Sequence, residues 1–164
     1  MNAALRTQHH YAPVAIGQEI FISHRDFCPQ WTGKTLHIWR DDLSDASYSC
    51  QFVQARRSAG QSLLPYVNQQ HLMVQYKDGE SLTTMNVSIE EIAQFSTGTH
   101  SLLIHCTVGQ TRAPTLALIA KIVRGVSVYH ALADIMQANW ETRGVVSNFC
   151  LTPVAEILAW ADTR

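Results

Sequence analysis

Ser101-Leu102-Leu103-Ile104-His105-Cys106-Thr107-Val108-Gly109-Gln110-Thr111-Arg112-Ala113-Pro114-Thr115-Leu116 is the stretch whose reading decides the fold. Ser101 to Ile104 is a short apolar run with the length of a fully buried strand. From Arg112 the pattern changes. Leu116, Ile119, Ala120 and Val123 repeat at helical spacing while Leu118 and Ile122 fill the opposite side, so the helix is apolar around most of its circumference and is expected to be central. Gly125 ends it. A buried strand that turns at once into a buried helix belongs to a layered α/β architecture, and such folds place ligands at the carboxyl ends of their strands.

The rest of the chain agrees. Glu19 to Ser23, Thr35 to Trp39 and His71 to Tyr76 read as further strands. Asp41 to Asp45 supplies turn and helix-start chemistry before a helical stretch that runs toward Gly60, and Ser88 with Glu91 forms a capping box for a short helix through Phe95. Ser127 caps a helix carrying Leu132, Ile135 and Met136. Thr152-Pro153 supplies a cap and a first-turn proline for a last helix with Ile157, Leu158 and Trp160. Strands alternate with helices early and helices accumulate late. The expectation is a mostly parallel central sheet flanked by helices on both faces, with a helical C-terminal half. Residues 1–15 read as a loosely ordered lead-in, and 16–164 as a single domain, a size that buries one core.

The junction between strand and helix carries the chemistry. Backbone N–H groups of a tight loop over Thr107, Val108, Gly109, Gln110 and Thr111, with the first turn of the following helix, form a concave nest that favours a dianion such as phosphate. Gly109 permits the turn. Arg112, six positions after Cys106, brings a planar fork that grips two phosphate oxygens as Lys does not. The same field favours the thiolate of Cys106, which then becomes a nucleophile under a held phosphate.

His105-Cys106, five residues and then Arg112 resembles the signature loop of the cysteine-dependent protein tyrosine phosphatases, and the short neutral loop is most similar to their dual-specificity branch. Gly125-Val126-Ser127, Ala131-Leu132, Arg143 and Asn148-Phe149 extend the resemblance into the helical tail, so that it covers roughly residues 16–160. The resemblance implies a phosphomonoester hydrolase with a phosphocysteine intermediate, and a His105 that orients the loop from beneath. It also implies a general acid Asp on a mobile loop some thirty positions before the nucleophile. Asp78, beside Gly79, lies 28 positions before Cys106. Glu80 is the alternative acid, and Asp41 and Asp42 are weaker candidates.

Two features depart from that pattern. Ala113 stands where the family generally carries Ser or Thr, whose hydroxyl assists the departing thiolate. This motivates a second expectation, a phosphate-binding pseudophosphatase with little turnover. The loop interior holds no Lys or extra Arg, unlike members selective for phosphoinositides, and it differs from the glucan-phosphatase pattern at Val108 and Thr111. Sulfur transfer on a rhodanese-like anion loop is a minor rival.

Composition sets the remaining limits. Twelve Lys and Arg against thirteen Asp and Glu leave a formal charge of −1, so no broad basic field exists for nucleic acid or an anionic membrane. The partner expected is a phosphorylated protein or a small phosphomonoester. No cofactor and no metal are expected: His24 with Cys28, and His9 with His10, lack partners at ligand spacing. Cys28, Cys50, Cys106 and Cys150 contain no Cys-x-x-Cys pair and mostly read as buried free thiols, with Cys28, Cys50 and Cys150 the candidate disulfide partners of Cys106 under oxidation; no segment has the apolar length of a signal peptide or a membrane span, so the chain is expected to be cytoplasmic. Thr32-Gly33-Lys34-Thr35 imitates the end of a nucleotide-binding loop but leads into a strand, and is rejected as one.

Overall fold

A computed structural model describes residues 13–24, 31–39, 55, 58–61, 68–106 and 111–164. Five strands form one sheet: β1 (Val14–Ala15), β2 (Ile20–His24), β3 (Lys34–Trp39), β4 (His71–Gln75) and β5 (Leu102–Cys106), in the order β1-β2-β5-β3-β4. Every neighbouring pair is parallel except β1 with β2. The mostly parallel sheet matches the expected class. The strand at the decisive junction reaches two residues further than its apolar run, to Cys106, because β2 pairs with it over its whole length.

The register gives the sheet two unlike faces. Ile22, Ile104, Leu36 and Leu72 share the apolar face, and they join one buried cluster with residues of the helices α1 (Ile89–Ser96), α2 (Arg112–Val123), α3 (Val128–Arg143) and α4 (Leu151–Asp162). Helix α2 lies at its centre, and Leu116 to Lys121 are all buried. The other face carries Ser23, His105 and His37, all fully buried. Of the helix expected toward Gly60, residues 55 and 58–61 are described. Ala59 N–H donates to the Ala55 carbonyl at 3.1 Å, one helical turn, and Gly60 adopts a left-handed φ of 69° that closes it. The remainder of that stretch, with Asp41, Asp42, Cys28 and Cys50, lies outside the described residues.

Local chemistry sets the helix ends. The Ser88 and Glu91 capping box is present in full, Glu91 N–H on Ser88 Oγ at 3.1 Å and Ser88 N–H on Glu91 Oε2 at 2.6 Å. Ser127 caps α3 by accepting from His130 N–H. Helix α4 departs from expectation: it begins at Leu151 with Cys150 as its N-cap, so Thr152 sits inside the first turn. Met136 is a second departure. It is 47% exposed, because the α3 positions that face the core are Ala131, Ile135 and Asn139 and Met136 falls to the side of that line. Gly33 is tight for a reason unrelated to nucleotides, since a Cβ there would stand 2.7 Å from the Ser101 carbonyl oxygen.

Candidate active site

Strand β5 delivers Cys106 to its carboxyl end, where the residue is 2% exposed and faces the helical side of the sheet. Residues 107–110, which include Thr107, Val108, Gly109 and Gln110, lie outside the described residues. The chain is described again at Thr111, the N-cap of α2, whose side chain makes no capping hydrogen bond. Its carbonyl accepts from Thr115 N–H at 3.1 Å and from Thr115 Oγ1 at 2.7 Å. The Thr115 hydroxyl is thus committed to the backbone. Ala113 is fully buried.

Arg112 opens α2 and is 4% exposed. Its Nε donates to Asp78 Oδ1 at 2.9 Å, while the Asp78 side chain keeps 44% of its surface open to water. The structure therefore brings together Asp78 and Arg112, which the sequence sets far apart. It separates Glu80 from them: Glu80 Oε2 accepts from Thr84 Oγ1 at 3.3 Å, on the short 3₁₀ turn Leu82–Thr84.

The turn that carries Asp78 is held at several points. Tyr76, buried at the end of β4, donates its hydroxyl to the Glu80 carbonyl at 2.8 Å and so closes the loop on itself. Burial pushes the Tyr76 hydroxyl above its usual range, and the neighbouring Cys150, Glu156, Asp78 and Glu80 push the same way. Glu156 of α4 accepts from Ser81 Oγ at 2.7 Å and from Leu82 N–H at 3.0 Å. Gly79 adopts φ +76°, and a Cβ there would stand 3.2 Å from Cys150 Sγ. The loop is anchored at its base to α4 and to the segment before it, while the Asp78 carboxylate stays near water.

A second guanidinium completes the surroundings. Arg143, the last residue of α3, is held below its usual range by burial, and the charge of Cys106 acts in the opposite direction. Cys106 is thus near enough to Arg143 for their charges to be coupled. Sequence reasoning quoted Arg143 only as part of a helical tail and passed over Tyr76 and Glu156 as site residues. The spacing of Arg143 from Cys106 holds no local signal, because all of α2 and most of α3 lie between them in the chain.

No family model matches the chain, and no curated protein matches it. Solved structures do. Tk-PTP in its active form is similar with a TM-score of 0.54 at 18% identity, over 93% of this chain and 97% of that one. A mouse putative dual specificity phosphatase complexed with zinc tungstate gives 0.54 at 16% identity, over 92% and 87%. Kinase associated phosphatase, with its catalytic-site cysteine replaced by serine, gives 0.56 at 10% identity, over 94% of each chain. The chain has the fold of the dual-specificity phosphatases.

Proposed function

We propose that this chain is a cysteine-dependent phosphomonoester hydrolase of the dual-specificity type. The observation that carries the reading is the meeting of Arg112 with Asp78 at 2.9 Å, beside a strand that ends on Cys106. A phosphate-holding cation, a carboxyl group and a nucleophile are the three parts the reaction requires.

In this reading the loop N–H groups of residues 107–111 and the Arg112 fork hold the phosphate. The Cys106 thiolate attacks phosphorus as the ester P–O bond breaks. Asp78 gives its proton to the departing oxygen, so that a neutral alcohol or phenol leaves and phosphocysteine remains. Water then attacks phosphorus, Asp78 takes its proton, the S–P bond breaks, and inorganic phosphate and the thiolate are released. Arg112 trades its contact with Asp78 for phosphate oxygens when substrate enters, which frees the carboxyl group to serve as acid. Arg143 adds a second positive charge near the sulfur.

The substrate class is a phosphorylated protein or a small phosphomonoester, with action in the cytoplasm. Support comes from the formal charge of −1 and from the thiols of Cys106 and Cys150. No helix among the described residues is long and apolar enough to cross a membrane. The test is hydrolysis of p-nitrophenyl phosphate in the presence of a chelator, with Cys106→Ser as control. Steady release of phosphate by the parent chain and none by Cys106→Ser is expected; equal rates would overturn the reading.

A second reading, a phosphate-binding module that turns over poorly, rests on the buried methyl of Ala113, since Thr115 commits its hydroxyl to Thr111. A burst of one alcohol equivalent followed by a stalled phosphocysteine would favour it.

A further inference from the structure

The residue before the nucleophile is the end of a chain of three imidazoles. His105 Nε2 lies 2.8 Å from His37 Nδ1, and His37 Nε2 lies 3.0 Å from His71 Nδ1. The rings of His37 and His105 meet edge to face, with centroids 4.8 Å apart, and those of His37 and His71 are stacked at 5.2 Å. Parallel pairing makes this possible. His37 stands directly across from His105, and His71, the first residue of the edge strand β4, lies two positions along from the residue opposite His37. His105 and His37 are fully buried, and His71 is half-buried.

Counting protons shows what the chain does. Each of the two contacts holds one proton. A neutral trio carries three, so the third stands on one of the terminal nitrogens, Nε2 of His71 or Nδ1 of His105. Placed on His71, it makes every ring donate outward, from His105 through His37, and leaves Nδ1 of His105 an acceptor. Placed on His105, it reverses both hydrogen bonds and makes that nitrogen a donor. A fourth proton, taken from water at His71, fills both ends: His71 Nδ1–H then donates to His37, His37 donates to His105, and Nδ1 of His105 carries a proton. The state of a ring at the sheet edge thus dictates the tautomer of a ring it does not touch.

Among the described strand residues, no other ionisable side chain shares this face of the sheet. Beside the three rings stand Ser23, Thr35, Trp39, Met73, Gln75 and Leu103. Lys34 turns to the other side, where its Nζ donates to the Phe95 carbonyl at 3.1 Å. Cys106, next along β5, also faces that other side.

We propose that His37 and His71 are positioning residues that fix the tautomer and ring plane of His105, and through it couple the protonation of the β4 edge to the reactivity of Cys106. The inference rests on the phosphatase reading for its consequence at Cys106, while the proton chain stands on geometry alone.

The experiment is imidazole ¹⁵N NMR on the intact labelled chain, paired with the rate of Cys106 alkylation by iodoacetamide at fixed pH. In the parent chain, protonation of His71 is expected to move the ring nitrogens of His105 in step. A His71 that titrates while the His105 nitrogens stay still overturns the proposal without any variant. His71→Phe, which keeps a ring and removes the bond, is expected to redistribute the His105 tautomers and to change the alkylation rate by about three-fold or more. His71→Gln, whose amide oxygen accepts from His37 but relays no proton, is expected to restore a single His105 tautomer that no longer responds to pH. An unchanged His105 and an unchanged alkylation rate in His71→Phe overturn the proposal. Neither readout needs turnover, so failure to hydrolyse p-nitrophenyl phosphate with the imidazole coupling intact defeats the phosphatase reading and leaves the proton chain standing.

Discussion

Arg112 Nε donates to Asp78 Oδ1 at 2.9 Å, joining the first residue of α2 to the turn after β4. The carboxylate is nearly half exposed, so the pair contributes under about 1 kcal/mol to stability, and in the proposed mechanism its value is to place the acid against the phosphate-binding cation. Asp78→Ala is therefore expected to lower kcat on an aryl phosphate by roughly 100-fold or more while the thermal midpoint moves little. Steady-state kinetics and a thermal melt check the two halves separately. A large drop in the midpoint would instead make the pair structural.

Glu80 is a different case. Its carboxylate is turned to Thr84 Oγ1, and its carbonyl accepts from Tyr76. Glu80→Gln keeps both partners and removes only the charge, so kcat is expected to stay within about three-fold of the parent, well short of the loss a general acid shows. Measuring the two variants side by side decides which carboxyl group carries the proton.

Gly79 and Cys150 form a steric pair. A Cβ at Gly79 meets two obstacles, a φ of +76° and Cys150 Sγ at 3.2 Å. Gly79→Ala is expected to cost about 1 to 2 kcal/mol from the left-handed backbone together with the contact. Adding Cys150→Ala removes the second obstacle and leaves the first. The double variant should therefore be more stable than the two single effects predict, by a few tenths to about 1 kcal/mol in a double-mutant cycle of urea denaturation. Simple additivity would show that the sulfur gives way freely.

How far the sequence reveals these relationships follows from the range of the forces involved. The Ser88 and Glu91 box, the burial of α2 and the strand-to-helix junction at Cys106 and Arg112 are written in residues a few positions apart, where periodicity and capping act. Thr152 misleads because the helix starts two positions earlier, on Cys150, without a side-chain cap. Val14–Ala15 is too short for any pattern and owes its strand to pairing with β2. The Asp78 spacing suggests an acid only through resemblance. Its contact with Arg112, the nearness of Arg143 to Cys106 and the alignment of His37, His71 and His105 come from sheet order and helix packing, which bring distant segments together and leave no local signature.

Lys121 tests the packing at the opposite end of α2. Its side chain is fully buried, and Nζ donates to the Ile16 carbonyl, to Gln18 Oε1 at 2.6 Å and to Asp134 Oδ2 at 2.7 Å. These bonds hold the turn in which Gly17, Gln18 and Glu19 all have positive φ. Asp134→Asn removes the counter-ion but keeps an amide oxygen beside Nζ, and because the Asp134 side chain is 45% exposed and screened by water it is expected to destabilise by about 1 kcal/mol or less. Lys121→Met removes every donor and orphans the oxygens of the turn. It is expected to cost more than Asp134→Asn, because each unmet buried acceptor costs about 1 to 3 kcal/mol. Urea denaturation of the two variants gives the order, and the reverse order would show that the counter-ion outweighs the bonds to the turn.

Tyr76 predicts a pH effect whose sign follows from burial. Its hydroxyl is pushed above the ordinary value of 10.0, first by burial and then by the negative charges around it. A phenol that ionises less readily in the folded chain than in the unfolded one contributes stability that is fully present below pH 10 and is lost as the pH rises past it, since unfolding then releases a proton. The parent chain should therefore lose stability as the pH rises above about 10, the ordinary tyrosine value, and go on losing it until the raised folded value is passed. Tyr76→Phe forfeits the hydrogen bond to the Glu80 carbonyl and about 1 kcal/mol at neutral pH, but it lacks this group's share of the alkaline loss. The difference in unfolding free energy between parent and variant should shrink as the pH is raised. A difference that stays constant through pH 11 would mean that the Tyr76 hydroxyl ionises alike in both states, and that the bond closing the Asp78 turn is open to water.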